Sequence, residues 1–224
     1  MEPPPNNGSI RRRLGTCLFL GLLLAVKGSA TAKQGSESEE GPGPKIVLRV
    51  YNYSRLPSWL LWPALDRARF ILAEAGVVVT PVVCTAHDAP ALCGRAVDPL
   101  TVVLRFVNGL GPDRGPDTLG FATGAYVTVA SRRVENLAGG SDEVLTQMLG
   151  CVAAHELGHV LLGSDAHSAT GIMTAHYTEH EWTLMEKKLL WFLPSQATRM
   201  RANLLSRQGE VRAAGSHGVA QAEH

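Results

Sequence analysis

Apolar and polar side chains alternate along KIVLRVYNY, residues 45 to 53. That two-residue period predicts a strand with one buried face. The spacing then lengthens. Leu65, Ala68, Ile71 and Leu72 recur at helical intervals and predict an amphipathic helix from about Trp62 to Ala75. Pro63 suits its first turn, where no backbone N–H is needed, and Gly76 marks its end. Val77 to Cys84 and Leu100 to Val107 read as two more strands, with the turn-rich segment TAHDAPAL between them. Asn108 to Asp117 is a loop rich in Gly and Pro, and residues 119 to 130, LGFATGAYVTVA, read as a strand or hairpin. A second helix is expected from about Ser141 to Leu162. Ser141 and Asp142 are cap residues, Leu145, Met148, Leu149 and Val152 form its apolar stripe, and Gly163 is a left-handed stop. A last helix is expected from about Thr183 to Leu205, interrupted near Pro194 and anchored by Trp182, Trp191 and Phe192. Residues 207 to 224 are small and polar and read as a disordered tail. This order predicts an α+β fold, a mixed twisted sheet backed by helices.

Composition narrows the partners. Of 224 residues, 21 are Lys or Arg and 20 are Asp or Glu. Such a balance gives no electrostatic case for nucleic acid. The first 32 residues stand apart from the rest. Arg11, Arg12 and Arg13 precede the apolar run Leu14 to Val26, and Ala30-Thr31-Ala32 offers a cleavage site. This is the layout of a secretory signal peptide, and the apolar run is shorter than the roughly 20 residues that span a bilayer. The expected product is secreted or periplasmic, with no stable membrane span after cleavage. Residues 33 to 44, KQGSESEEGPGP, form a flexible linker, leaving 45 to 206 as one domain. Export also implies an oxidising compartment, where Cys84 and Cys93 are the expected disulfide pair and Cys151 is a buried small side chain.

The chemistry concentrates in HELGHVLLGSDAH, residues 155 to 167. On a helix, His155 and His159 share a face and can hold one Zn2+, with Glu156 beside them as general base. A catalytic zinc takes a third protein ligand. Two residues offer it, His167 and Asp165. His167 is preferred, because three neutral imidazoles leave the site its positive charge. Asp165 then accepts an N–H bond from a ligand imidazole. Met173, in HSATGIM, is either an apolar floor to the site or core filler. His87, His176 and His180 read as surface residues, and of these His176 is near enough in sequence to line a cleft.

The motif HELGH, a glycine ending the helix, a histidine soon after and a methionine beyond together resemble the metzincin zinc peptidases, with a matrixin-like flavour. The segment 155 to 173 is similar also to a group of uncharacterised exported bacterial zinc proteases. The resemblance implies a zincin domain with an active-site helix and a C-terminal helix. It implies His155, His159 and His167 as ligands, Glu156 as base, Met173 as the methionine of the turn below the metal, and residues 120 to 129 as an edge strand that pairs with substrate. The register departs from the family pattern. Gly163 comes one residue late and His167 two, so Asp165 occupies the usual third-ligand position and the loop must bulge. Tyr177 stands four residues after Met173, rather than two as in some metzincins.

The expected activity is hydrolysis of peptide bonds in a peptide or protein substrate, as a metalloendopeptidase. Two alternatives accompany it: a zinc-bearing binding protein without turnover, and an amidase for a small or peptidoglycan-type amide.

Overall fold

The computed structural model describes residues 43–84, 89–163 and 167–220. The expected signal peptide, nearly all of the linker, and Asp165 and His87 lie outside the described residues.

The alternating segment forms β1 (Lys45–Asn52), which turns Ile46, Leu48 and Val50 into the core. Strand β2 (Val78–Val83) and strand β3 (Thr101–Val107) flank it, both parallel to it. The hairpin expected at 119–130 is present. Strand β4 (Gly120–Thr123) runs antiparallel to β5 (Tyr126–Ala130), and Gly124 at φ 57° takes the turn. The sheet order is β2-β1-β3-β5-β4, so β4 forms one edge and β5 lies inside. Of the segment 120 to 129, only the β4 part is therefore an edge strand. Registers Leu104↔Val127 and Ala122↔Val127 carry one apolar face across the sheet.

Helices cover that face. Helix α1 (Ser58–Glu74) starts four residues earlier than expected, with Pro57 as N-cap and Pro63 inside the helix. Its end is a Schellman turn, with Gly76 N–H bonded to Ala73 O and Val77 N–H to Leu72 O. A short helix α2 (Ser131–Leu137), not foreseen from the sequence, follows β5. Helix α3 (Asp142–Leu162) carries the motif. Ser141 Oγ accepts from Val144 N at its start, and Gly163 at φ 69° ends it, both as expected. Its apolar surface is not a single stripe. Leu145, Leu149, Ala153, Ala154, Leu157 and Leu161 are all buried, because α3 is enclosed on several sides. Glycines permit the close approach: a side chain at Gly150 would strike Arg67 Cβ at 2.6 Å and Ala64 O at 2.8 Å on α1.

The C-terminal region differs from expectation. Instead of one helix interrupted at Pro194, there are two, α4 (Glu179–Glu186) and α5 (Pro194–Ala220). Pro194 opens α5, where its ring fits the first turn. What stops α4 is Lys188, at φ 60°, in a second Schellman turn: Lys188 N–H bonds Met185 O and Leu189 N–H bonds Leu184 O. Residues 207 to 220, expected as part of a disordered tail, are helical. The physical reason lies partly at Arg207, whose guanidinium donates to Val160 O at 2.8 Å, while Asn203 donates to Leu161 O and Leu162 O. These α5 side chains satisfy the last carbonyls of α3, which otherwise lack donors. Arg201 does the same for α1 at Ala75 O, 3.0 Å away. Cys84 and Cys93 form a disulfide, and Cys151 is a buried free thiol.

Candidate metal centre

Four-residue spacing on α3 puts the His155 and His159 rings on one face, with centroids 4.9 Å apart. Their Nε2 atoms stand 3.2 Å apart. Two nitrogens bound tetrahedrally to one zinc, each at 2.0–2.1 Å, would be separated by about 3.3 Å. His167 arrives from the segment after Gly163, and its ring centroid lies 4.8 Å from that of His159 and 5.5 Å from that of His155. One nitrogen from each of the three lies within 4.8 Å of the others. The three imidazoles therefore form a cluster able to hold a metal ion, and its all-nitrogen donor set suits zinc. His176 is not in that cluster. Asp165, the other candidate, lies outside the described residues.

The orientation of His155 is fixed from behind. Its Nδ1–H donates to Ile172 O at 2.7 Å, which leaves Nε2 to face the cluster. Tyr177 donates its hydroxyl to the same carbonyl at 2.8 Å. That bond occupies the phenol in positioning Ile172, so it does not point Tyr177 at a reacting group. Burial holds the His155 imidazole neutral, lowering its pKa from 6.5 to about 4, with the Ile172 hydrogen bond opposing and the neighbouring His159 and His167 adding to the effect. A neutral imidazole is the form that binds metal.

The floor beneath the site is apolar and tight. Met173 is fully buried, and a side chain at Gly158 would meet Met173 Sδ at 2.5 Å and Phe192 Cε1 at 2.7 Å. The turn is tied to the ligand segment: Ser168 N–H donates to Met173 O, and Thr174 N–H and Oγ1 both bond Gly171 O. Gly171, at φ 81°, packs under Trp191 O, where a Cβ would come within 2.8 Å. Met173 is thus packed against Gly158 of α3, a place that suits either a floor to the site or core filler.

Glu156 follows His155 on α3, about 100° further round the helix, and its side chain lies against β4. It is only 6 % exposed. Burial raises its pKa from 4.5 to about 8, opposed by the positive charge of Arg114. Gly120 makes room for it, since a side chain there would meet Glu156 Cγ at 2.9 Å and Oε1 at 3.0 Å.

Sequence reasoning missed three contributors. Arg114 was placed only in a loop, and nothing local ties it to Glu156. Tyr177 was considered for another role. Gly158 did carry a signal, because a glycine inside a helix costs about 1 kcal/mol relative to alanine and so calls for a packing reason.

A cavity of about 440 Å³ lies farther along α3, where Val144, Met148, Trp182 and Met185 are joined in the lining by Glu143 and Glu186. Met148 precedes His155 by two turns, about 10 Å. Edge contacts link the two places, from His155 to Tyr177 at 6.1 Å and from Tyr177 to Trp182 at 5.4 Å.

No family model matches the chain, and no curated protein does. Among solved structures, an archaemetzincin from Methanopyrus kandleri is similar at a TM-score of 0.50 and 18 % identity, over 71 % of this chain and 96 % of the other. A zinc-dependent peptidase from Methanocorpusculum labreanum (strain Z) is similar at a TM-score of 0.49 and 14 % identity, over 68 % of this chain and 99 % of the other. The likeness to the Methanopyrus kandleri structure is one of fold, and this chain's fold is a five-stranded mixed sheet with helices.

Proposed function

We propose that this chain is a zinc-dependent, metzincin-like peptidase whose ligands are His155, His159 and His167 and whose general base is Glu156. The observation that carries the reading is the convergence of three imidazoles, with a buried carboxyl one residue from the first of them. When bound, zinc would supply a positive charge that lowers the pKa of a water molecule there and polarises the scissile carbonyl.

Glu156 supplies the proton chemistry. In the metal-free chain its carboxyl is held largely protonated at neutral pH, with its pKa pushed up to about 8. A nearby cation favours the ionised form. The carboxylate then takes a proton from the attacking water and passes it to the leaving amine. Strand β4 receives the substrate as an added antiparallel strand, because it ends the sheet order among the described residues and so offers a backbone edge. The cavity at Met148 and Trp182 accepts an apolar side chain of the same peptide. A closed structural zinc site would need a fourth protein ligand, and among the described residues the cluster has three members.

Export belongs to the same proposal. Its support is the basic, apolar and small-residue order of the first 32 residues, together with the Cys84–Cys93 disulfide. No helix among the described residues is long and apolar enough to cross a membrane.

The test is the Glu156→Gln variant, assayed on a peptide library beside a zinc determination. The expected outcome is retained zinc with turnover lowered about 10²- to 10⁴-fold, the usual range for a general base. Turnover within threefold of the parent would remove Glu156 from the mechanism.

A further inference from the structure

The sheet edge that borders Glu156 also holds a cation with no assigned task. Arg114 lies in the Gly/Pro-rich loop before β4, and its guanidinium sits 4.2 Å over the Phe121 ring. The loop is fastened rather than loose: Arg133 donates to Gly115 O at 2.6 Å and to Thr118 O at 2.7 Å. Phe121 pairs in register with Thr128, so it faces away from α3, whereas its neighbour Gly120 faces Glu156. A guanidinium stacked on Phe121 stands at the outer face of the edge strand β4.

Arg114 is not consumed by the fold. Among the described residues the one ion pair is Arg69–Asp66, and Arg114 meets neither Asp113 nor Asp117 of its own loop at ion-pair distance. Arg105 and Arg133, the other arginines of this region, spend donors on Thr128 Oγ1 and on loop carbonyls. Arg114 retains its forked N–H donors, a shape that matches a carboxylate.

We propose that Arg114 is a specificity-determining residue, which binds a substrate carboxylate at the outer rim of β4 and makes this chain prefer acidic peptides. The inference rests on the peptidase reading and on an extended substrate lying along β4. Side chains of such a peptide alternate in direction, so Arg114 reads one position in the sequence rather than net charge. The carboxylate belongs either to a Glu or Asp side chain or to a free C-terminus, and the two sources separate by experiment.

The experiment is a panel of alanine-based peptides in which one Glu is walked through each position, every peptide made with a free and with an amidated C-terminus. Turnover is measured with the zinc-loaded parent, Arg114→Ala, Arg114→Lys and Arg114→Glu. Binding of the same fluorescently labelled peptides is measured with the zinc-loaded Glu156→Gln variant, with and without Arg114→Glu. In the parent, kcat/KM for one acidic peptide should exceed that of its alanine counterpart about tenfold, equivalent to about 1.4 kcal/mol. Arg114→Ala should abolish that ratio, Arg114→Lys should keep part of it, and Arg114→Glu should reverse it in favour of the alanine counterpart. A gain confined to free C-termini assigns the C-terminal carboxylate, and one that survives amidation assigns the side chain. Equal treatment of acidic and alanine peptides by the parent would overturn the inference, as would an equal fall on both in Arg114→Ala. Absence of turnover on every peptide would instead sink the peptidase reading. The binding ratio then still decides for or against Arg114.

Discussion

The two flanks of the motif helix are built differently. On one flank, Met173, Ile172 and Phe192 press against α3 so closely that only a glycine fits at 158, and the His155 ring is tied to a carbonyl of the same turn. On the other, the Glu156 carboxyl fills the space that Gly120 leaves beside the edge strand β4. The floor fixes geometry, and the rim is where the proposed substrate would lie. A metal site needs ligands held to within a fraction of an ångström, which packing and hydrogen bonds supply. A cleft wall needs an accessible backbone edge, which packing would bury.

The two flanks also titrate in opposite senses, and this gives the largest expected effect. In the metal-free protein the His155 pKa is lowered from 6.5 to about 4. The native state then binds fewer protons than the unfolded chain between those values, so stability is lost as pH falls through that window. The Glu156 pKa is raised from 4.5 to about 8, so its contribution is complete below 4.5 and is lost as pH rises through 8. Each shift corresponds to about 3–5 kcal/mol at full extent. Urea midpoints of chelator-treated protein should therefore fall on either side of a maximum between pH 4.5 and 6.5. Zinc-loaded protein should hold its stability through pH 8, because the cation favours both the neutral imidazoles and the carboxylate. A flat profile for the metal-free protein from pH 6.5 to 9 would show that Glu156 is not buried in solution.

A smaller effect distinguishes the floor from the rim by packing. Gly158→Leu places a side chain where Met173 Sδ and Phe192 already stand, and should cost about 1–3 kcal/mol by overpacking while weakening zinc retention. Denaturant unfolding alongside metal analysis checks it. Unchanged stability with full zinc would mean that the floor is slack, and the contrast between the flanks would fail.

How far the sequence could be read follows the range of the contacts. The start and stop of α3 were legible because Ser141 and Gly163 act on their own neighbours. The three histidines were legible because spacing on a helix, and a short return after it, are local facts. The two Schellman turns show the limit. Gly76 announces the first, whereas Lys188 adopts the same left-handed geometry without the residue that usually signals it. The helical course of residues 207 to 220 was not legible for a similar reason: Arg207 serves carbonyls on α3 that lie 47 positions away. Pro194 was read as a break although it opens a helix, since a proline's meaning depends on which side of it the helix lies. Arg114 escaped because its relation to Glu156 crosses the sheet edge and leaves no periodicity to find.

The central claim, that His155, His159 and His167 together hold one zinc, is tested most directly by metal content. The parent protein and the His155→Ala and His167→Ala variants would be loaded with zinc, dialysed without chelator, and analysed for zinc per chain. The account predicts one zinc per chain in the parent and well under half of that in each variant, with circular dichroism showing that the variants remain folded. A parent without bound zinc, or a folded His167→Ala variant that keeps a full equivalent, would contradict it.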